Sequence, residues 1–135
     1  MTEYVFFYGT LMSGFKRPGR QQLDIELEPI GRGWISAALF DLGIYPAAVP
    51  ASDSRVWGEL HRMLEPKDVL RQLDEIEGYR PSEPDAGLYT RLEAPVTLRD
   101  GRVVSAWTYF YNAPLGGAHR IESGDYLEHL KVQVR

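Results

Sequence analysis

The sequence contains no cysteine. This absence excludes disulfide bridges, thiolate metal sites and a cysteine nucleophile. Long hydrophobic runs are missing too. The longest run near the start spans about five residues, too few for the apolar region of a signal peptide or for a membrane span. We therefore expect a cytoplasmic protein with no membrane partner.

Neither sign of charge is in strong excess, with 15 Lys and Arg against 19 Asp and Glu and a formal net charge of -4. A basic stripe with interleaved aromatic residues, typical of nucleic-acid-binding proteins, is absent. The densest basic cluster runs from Lys16 to Arg20 and is interrupted by Pro18 and Gly19. Such a cluster is more often a solvated loop than a phosphate-binding patch. We expect no nucleic-acid partner.

A phosphate-binding loop is nearly present but incomplete. Gly9 and Gly14 have the required separation. The motif then needs a lysine followed by a hydroxyl residue that ligates magnesium. Here Phe15 follows Gly14, Lys16 comes one residue late, and Arg17 stands where the hydroxyl belongs. The metal ligand is missing, so a P-loop is excluded.

Other catalytic and cofactor signatures are missing as well. The histidines His61, His119 and His129 share no short metal-ligand spacing. No serine lies in a Gly-x-Ser-x-Gly context, and no glycine fingerprint for a dinucleotide opens a βαβ unit. The sequence therefore predicts neither a metal nor a cofactor.

What the sequence does contain is typical of a small globular α+β protein. Its 135 residues are 44% hydrophobic and 25% charged, which predicts one domain over residues 1–135. Strands are predicted over residues 4–8, 32–41, 55–63, 89–98 and 103–111, with a turn-rich stretch at 41–46 and a two-residue hairpin turn at Asp100 and Gly101. Residues 15–30 look irregular, with at most a short helix over 21–27. We expect a mainly antiparallel curled sheet or small barrel with one or two packed helices.

The clearest helix covers residues 66–77. Pro66 suits its first turn, and Gly78 suits the position just past its end. A short final helix is predicted over 124–130, with Ser123 as its cap.

Glu77 is the most informative charged residue of that clear helix. Val69, Leu70, Leu73 and Ile76 define one apolar face, and Glu77 projects roughly 50° from its centre. A carboxylate facing a core is costly unless it has a partner or a function. Burial and the negative end of the helix dipole would both raise its pKa toward the range useful for acid–base catalysis.

A structural role for Glu77 is equally open from the helix alone. In that case Glu77 would accept backbone hydrogen bonds or pair with an arginine such as Arg91. Asp74 lies near the border of the apolar face, while Arg71 and Glu75 point away from it.

Aromatic residues form a further group, and most are expected in the core or lining a barrel. A minority could place hydroxyl groups around a pocket, and periodicity leaves open which. The group comprises Tyr8, Tyr45, Trp57, Tyr79, Tyr89, Trp107, Tyr109 and Tyr111.

Taken together, these pieces resemble the gamma-glutamylcyclotransferase-like superfamily, which includes the AIG2-like proteins. The resemblance extends in order over nearly the whole chain. Its motifs are Tyr8-Gly9-Thr10-Leu11, Leu42-Gly43-Ile44-Tyr45-Pro46, Val56-Trp57-Gly58-Glu59-Leu60, Leu73-Asp74-Glu75-Ile76-Glu77-Gly78-Tyr79, Tyr89-Thr90-Arg91 and Trp107-Thr108-Tyr109.

The resemblance implies a small mixed, mainly antiparallel β-barrel with flanking α-helices and a cavity at its mouth. It also implies cyclisation of a small γ-glutamyl amine or γ-glutamyl amino acid to 5-oxoproline, without a cofactor. By resemblance, Glu77 is the catalytic acid–base, and the first loop binds the substrate through Tyr8, Gly9, Thr10 and Leu11. The further substrate-binding residues implied are Tyr89 and, as weaker transfers, Tyr109 and Arg91.

Several alternatives remain open at this point. The enzyme could be a related lyase or transferase acting on a different glutamyl-like conjugate. A noncatalytic binding module could use the same pocket, or an interaction protein could keep Glu77 for structure. The leaving group would be set by loops such as residues 16–28 and 79–87, which carry no recognisable code.

Overall fold

The computed structural model describes residues 2–13, 15 and 17–133. Gly14 and Lys16, which belong to the near P-loop and the basic cluster, lie outside the described residues. The described elements are β1 (Tyr4–Phe7), α1 (Arg20–Leu23), a 3₁₀ turn (Asp24–Glu26), β2 (Leu27–Asp41), β3 (Pro46–Met63), α2 (Pro66–Glu77), β4 (Tyr89–Leu98), β5 (Val103–Tyr111), β6 (His119–Arg120) and α3 (Tyr126–Gln133).

The long strands close into a barrel. Their order is β3-β1-β5-β4-β2, and β2 pairs with β3 to complete the ring, while the short β6 extends from β2. The β1–β5 pair is parallel, with Val5 opposite Trp107. The remaining pairs between described strands are antiparallel. The predicted mixed, mainly antiparallel barrel with flanking helices is confirmed.

Strand β1 lies at the centre of the molecule. The side chains of Val5, Phe6 and Phe7 are buried, and β3 and β5 pair with the two edges of the strand. Where β3 passes β1, a Cβ atom on Gly58 would lie 2.2 Å from the carbonyl oxygen of Phe7. A glycine is therefore required for this approach. The result is a rigid strand that leads directly into the first loop.

Strands β2 and β3 are longer than the sequence pattern predicts. β2 begins at Leu27 rather than residue 32, and β3 begins at Pro46 rather than residue 55. The added segments are rich in proline, glycine and polar residues, which are depleted in strands. They are strands because the start of β2 pairs with the end of β3, with Leu27 opposite Met63, and the start of β3 pairs with the end of β2, with Pro46 opposite Asp41. The pairing includes two register shifts, between Pro29 and Gly31 and between Ser36 and Ala37.

Helix α2 has the bounds that the sequence predicts. Val69, Leu70 and Leu73 are buried against the barrel. Gly78 ends the helix with a φ of 71°, and its N–H donates to carbonyl groups of the last turn. Glu77 is therefore held on the final turn of a well-packed helix.

The segment before β2 differs from its prediction. A helix was expected over residues 21–27, but α1 covers Arg20–Leu23 and the 3₁₀ turn follows.

The final helix also starts later than predicted, at Tyr126 rather than residue 124. Asp125 caps it, because its Oδ1 accepts hydrogen bonds from the N–H groups of Leu127 at 3.1 Å and Glu128 at 3.3 Å. The prediction of Ser123 as the cap is wrong. The carboxylate of Asp125 reaches the first helical turn and also pairs with Arg32.

The β4–β5 hairpin forms as expected, but its turn is longer than two residues. The N–H of Leu98 donates to the Arg102 carbonyl at 2.8 Å, which leaves residues 99–101 as the loop. Gly101 has a φ of 91°, the left-handed conformation usual at the last position of such a loop. On β4, Leu92 is 46% exposed. Among the described residues, no helix is both long enough and apolar enough to cross a membrane.

Candidate functional site

A cavity opens where β1 runs into the first loop. Its empty space, counted together with the open mouth, is about 360 Å³. Its lining comes from β1, the first loop, the β2–β3 turn, the end of α2 and the strands β4 and β5. The lining residues are Phe6, Phe7, Tyr8, Gly9, Thr10, Leu11, Arg17, Tyr45, Pro46, Glu77, Tyr89 and Tyr109.

Except for Arg91, the residues that the sequence and the resemblance predict as catalytic or substrate-binding line this one cavity. They are Tyr8, Gly9, Thr10, Leu11, Glu77, Tyr89 and Tyr109. Arg91 is not part of the lining and belongs to a neighbouring cleft on the outside of α2. The placement brings the groups together, while the role of each stays a prediction.

Glu77 supplies the carboxylate of the cavity. Its side chain is only 8% exposed, and its Oε1 lies 3.6 Å from Nη1 of Arg17. Burial raises the pKa of the Glu77 carboxyl above its ordinary value, and the positive charge of Arg17 opposes this rise. The inward position agrees with the helical wheel. The carboxyl is suited to exchanging protons because its charged form is less favoured than in water.

Glu77 pairs with an arginine, as the structural alternative allowed, but that arginine is Arg17 and not Arg91. Arg91 instead binds Asp74, one turn earlier on α2, with distances of 2.9 Å from Nε to Oδ1 and 3.2 Å from Nη2 to Oδ2. The hydroxyl of Tyr109 donates to Asp74 Oδ1 at 2.6 Å. Asp74, which was placed at the border of the apolar face, is buried. Asp74 therefore binds Arg91, the arginine that was suggested as a partner of Glu77.

The first loop turns sharply after β1. The N–H of Met12 donates to the carbonyl oxygen of Gly9 at 3.0 Å, which closes the turn. The N–H of Met12 is therefore used within the loop. Within the described part of the chain, the N–H groups of Thr10 and Leu11 donate to no acceptor. These two amides are available to bind an anion.

The side chains of Arg20 and Glu59 hydrogen-bond to the backbone of the first loop and hold it in place. Arg20, which is buried, donates from Nε to the carbonyl oxygen of Leu11 at 2.8 Å. Glu59 on β3 accepts from the N–H of Ser13 at 2.8 Å and from Nε2 of His61 at 3.2 Å. Burial alone would raise the pKa of Glu59, but these hydrogen bonds outweigh it and lower the pKa. Both contacts fix the loop without any ligand.

Packing within the protein explains the glycine at position 9. A Cβ atom there would lie 2.7 Å from Cγ of Pro46. The packing of Pro46 against the loop therefore already requires glycine, whatever the cavity binds.

The three predicted tyrosines present their rings to the cavity and direct their hydroxyl protons into the protein. Tyr8 donates to the carbonyl oxygen of Tyr109 at 2.7 Å, and Tyr89 donates to the carbonyl oxygen of Pro46 at 3.0 Å. Tyr109 donates to Asp74. Burial is the largest cause that raises the pKa of each of the three phenols. They form a rigid, protonated wall.

Arg17 is the residue of the cavity that sequence reasoning missed. It lies in the basic cluster predicted to be a solvated loop, yet its side chain is 13% exposed. Arg20 of the same cluster is buried, so the prediction is wrong for both arginines. Tyr45 and Pro46 were also not predicted as site residues, although they lie in a motif of the resemblance. No periodicity could reveal Arg17, since it lies in an irregular loop.

Metal binding has no support in the donor set. The residues that the structure describes contain no cluster of three or more histidine, aspartate or glutamate side chains able to hold a metal ion.

Comparisons with known proteins agree on one family. The family described as "Gamma-glutamyl cyclotransferase, AIG2-like" matches residues 5–128. A Methanocaldococcus jannaschii protein that is provisionally named a gamma-glutamylcyclotransferase is 30% identical over 128 residues, which covers 94% of this chain and 98% of that protein. The gamma-glutamylcyclotransferase family protein YtfP of Escherichia coli K12 is 35% identical over 92 residues, 67% of each chain.

A solved structure shows the same fold. The crystal structure of an AIG2-like protein from Mus musculus superimposes with a TM-score of 0.65 and 27% identity, covering 83% of this chain and 80% of that chain. The predicted membership is confirmed by these matches. The chain belongs to the gamma-glutamyl cyclotransferase, AIG2-like family.

Proposed function

We propose that the protein is a gamma-glutamyl cyclotransferase-type enzyme. It cyclises a small γ-glutamyl amine or γ-glutamyl amino acid to 5-oxoproline and releases the amine. The observation that carries this proposal is the position of Glu77: a buried carboxyl with a raised pKa shares one cavity with free backbone amides of the first loop. Family membership supports the same reaction class.

The nucleophile in this reaction belongs to the substrate. The α-amine nitrogen attacks the γ-carbonyl carbon, a new C–N bond closes the five-membered ring, and the bond to the leaving amine breaks. The reaction needs no serine, cysteine, metal or cofactor. The protein must chiefly fold the substrate so that amine and carbonyl meet, and a rigid cavity wall such as the tyrosine rings can impose that geometry.

Glu77 serves as the acid–base in this scheme. The ionised carboxylate takes a proton from the α-amine as the amine attacks, and then delivers a proton to the leaving nitrogen. A raised pKa favours both steps, because the carboxylate becomes a stronger base and the carboxylic acid forms at a pH closer to neutrality.

The free N–H groups of Thr10 and Leu11 supply the anion site. They bind the α-carboxylate of the glutamyl group or the oxyanion that develops on the γ-carbonyl oxygen. Arg20 and Glu59 keep these amides in position through Leu11 and Ser13.

A panel of γ-glutamyl compounds tests the proposal by measuring 5-oxoproline. We expect turnover by the wild type and a loss of about 10²- to 10⁴-fold in kcat for Glu77→Gln, because the variant keeps the shape but cannot exchange the proton. Glu75→Gln is the matched control. It lies on the same helical turn with a side chain that is 75% exposed, and its turnover should equal that of the wild type.

Each other outcome points to a different function. Product formation that survives Glu77→Gln contradicts the assigned chemistry. Saturable ligand binding without product in the wild type favours a noncatalytic binding module. A Glu77→Gln protein that fails to fold, while Glu75→Gln folds, favours a structural role for Glu77. Circular dichroism and thermal unfolding of both variants separate these cases.

A further inference from the structure

Arg17 reaches across the cavity and contacts each side of it. Its Nη1 donates to Oγ1 of Thr10 at 2.9 Å, and its Nη2 donates to the carbonyl oxygen of Ile76 at 3.4 Å. The guanidinium lies over the ring of Tyr45, 4.4 Å from the ring centre. These contacts fix the group in one position and leave further N–H groups for a ligand.

Arg17 provides the positive charge that a substrate with two carboxylates needs in this cavity. Among the described residues that line the cavity, Arg17 carries the positive charge and Glu77 the negative charge. A γ-glutamyl amine has one carboxylate, which the amides of Thr10 and Leu11 can hold. A γ-glutamyl amino acid has a second carboxylate on its leaving group. Glu77 alone would repel that second charge.

The reaction itself places the leaving group next to Arg17. The leaving nitrogen must come within hydrogen-bond reach of Glu77 to receive its proton. A carboxylate on the neighbouring carbon then falls within the next few ångströms. Nη1 of Arg17 lies 3.6 Å from Glu77 Oε1, which is the correct neighbourhood for that second carboxylate. Arginine is the side chain best suited to binding a carboxylate with two parallel hydrogen bonds.

We propose that Arg17 binds the carboxylate of the leaving group and thereby selects γ-glutamyl amino acids over γ-glutamyl amines. Arg17 is thus a specificity-determining residue at the cavity, and the loop that carries it sets the substrate class. This inference rests on the proposed cyclotransferase function, because it assigns one end of the substrate of that reaction.

A matched pair of substrates tests the inference. γ-Glutamylglycine and γ-glutamylmethylamine differ only by the carboxylate of the leaving group. We expect the wild type to favour γ-glutamylglycine in kcat/KM by on the order of 10- to 100-fold, the usual value of a charge-assisted hydrogen bond. Arg17→Met should remove most of this preference, so that the ratio of the two kcat/KM values approaches one.

Two further variants separate charge from folding. Arg17→Lys keeps the positive charge and should retain part of the preference. Arg102→Met removes an arginine from the β4–β5 turn, outside the cavity lining. It should leave kcat/KM unchanged for both substrates. An equal loss for both substrates in Arg17→Met overturns the inference, since Arg17 would then act on the glutamyl end or on Glu77.

Binding measurements keep the inference testable if neither compound yields 5-oxoproline. Calorimetric titration of the wild type should then show tighter binding of γ-glutamylglycine than of γ-glutamylmethylamine, and Arg17→Met should equalise the two. That result would refute the proposed reaction and support the role of Arg17. Equal binding of both compounds by the wild type overturns the role of Arg17.

Discussion

Glu77 and Arg17 act on one ionisation with opposite signs. Removal from water disfavours the Glu77 carboxylate, whereas the nearby guanidinium favours it. Burial is the larger effect, so the pKa stays above its ordinary value of about 4.3. The three tyrosine phenols of the cavity stay protonated at neutral pH because burial raises their pKa values. Glu77 is thus the group whose protonation Arg17 can tune.

This opposition predicts a shift in the pH profile. A general base must be ionised, so kcat/KM rises with pH through the pKa of Glu77 in the free enzyme. Arg17→Met leaves burial unopposed and raises that pKa. We therefore expect the acid limb to move to higher pH, measured with γ-glutamylmethylamine to avoid the carboxylate effect. Arg102→Met should leave the limb in place, and a limb that moves to lower pH in Arg17→Met would refute the assignment.

At the scale of elements, the end of α2 has two structural roles. Asp74 ties the helix to β4 and β5 through Arg91 and Tyr109, and Glu77 faces the cavity one turn later. Gly78 ends the helix in the left-handed conformation directly after Glu77. The backbone that positions the proposed acid–base thus depends on one glycine.

Alanine at Gly78 should therefore affect both stability and activity. A Cβ atom there meets nothing within 4 Å, so the cost comes from the left-handed backbone alone, about 1 to 2 kcal/mol. Gly101→Ala is a matched control, with a φ of 91° and equally open surroundings in the β4–β5 turn. Urea unfolding should show similar losses for both variants. Turnover should fall in Gly78→Ala alone, and equal turnover would show that the helix end does not position Glu77.

The same elements explain how far the sequence predicts the fold. The bounds of α2 are readable because its signals are local: apolar residues every three or four positions, Pro66 at the start and Gly78 at the end. The first half of β3 is not readable, because its proline-rich and polar residues form a strand only by pairing with the end of β2, which overrides their local preference.

The candidate site likewise contains residues that the sequence predicts and a residue, Arg17, that it does not. Glu77 follows from its place on a regular helix, and the first-loop residues follow from a resemblance between motifs. Arg17 follows from neither. Its place in the cavity depends on contacts with Thr10, Ile76 and Tyr45, which three different segments of the chain bring together. Irregular loops carry no period from which such contacts could be predicted.

At the scale of the whole molecule, two glutamates give stability an opposite dependence on pH: Glu59, which is half-buried, and Glu77, whose side chain is buried. The pKa of Glu59 is lowered in the folded state, so its contribution is present above the unfolded pKa and is lost as the pH falls through the folded pKa. The pKa of Glu77 is raised, so its ionisation destabilises the fold as the pH rises from the unfolded pKa to the folded one. The two effects partly cancel near neutrality.

Unfolding experiments at several pH values can isolate the first effect. Glu59→Gln should lower the free energy of unfolding by about 1 kcal/mol at pH 7, because the hydrogen bonds from Ser13 and His61 lose their charged acceptor. The difference from the wild type should shrink as the pH falls below the unfolded pKa of about 4.3. The exposed Glu75→Gln should show no such trend. A difference that grows toward low pH would contradict the lowered pKa.

The anchors of the first loop have a consequence for recognition. Arg20 and Glu59 hold Leu11 and Ser13 through hydrogen bonds within the protein itself, so the chain loses the freedom of this segment when it folds and not when it binds. A ligand that meets a preorganised site need not supply the free energy of ordering it. Very small metabolites have little surface with which to supply that energy. A cavity built this way can therefore hold a molecule of only a few heavy atoms with useful affinity.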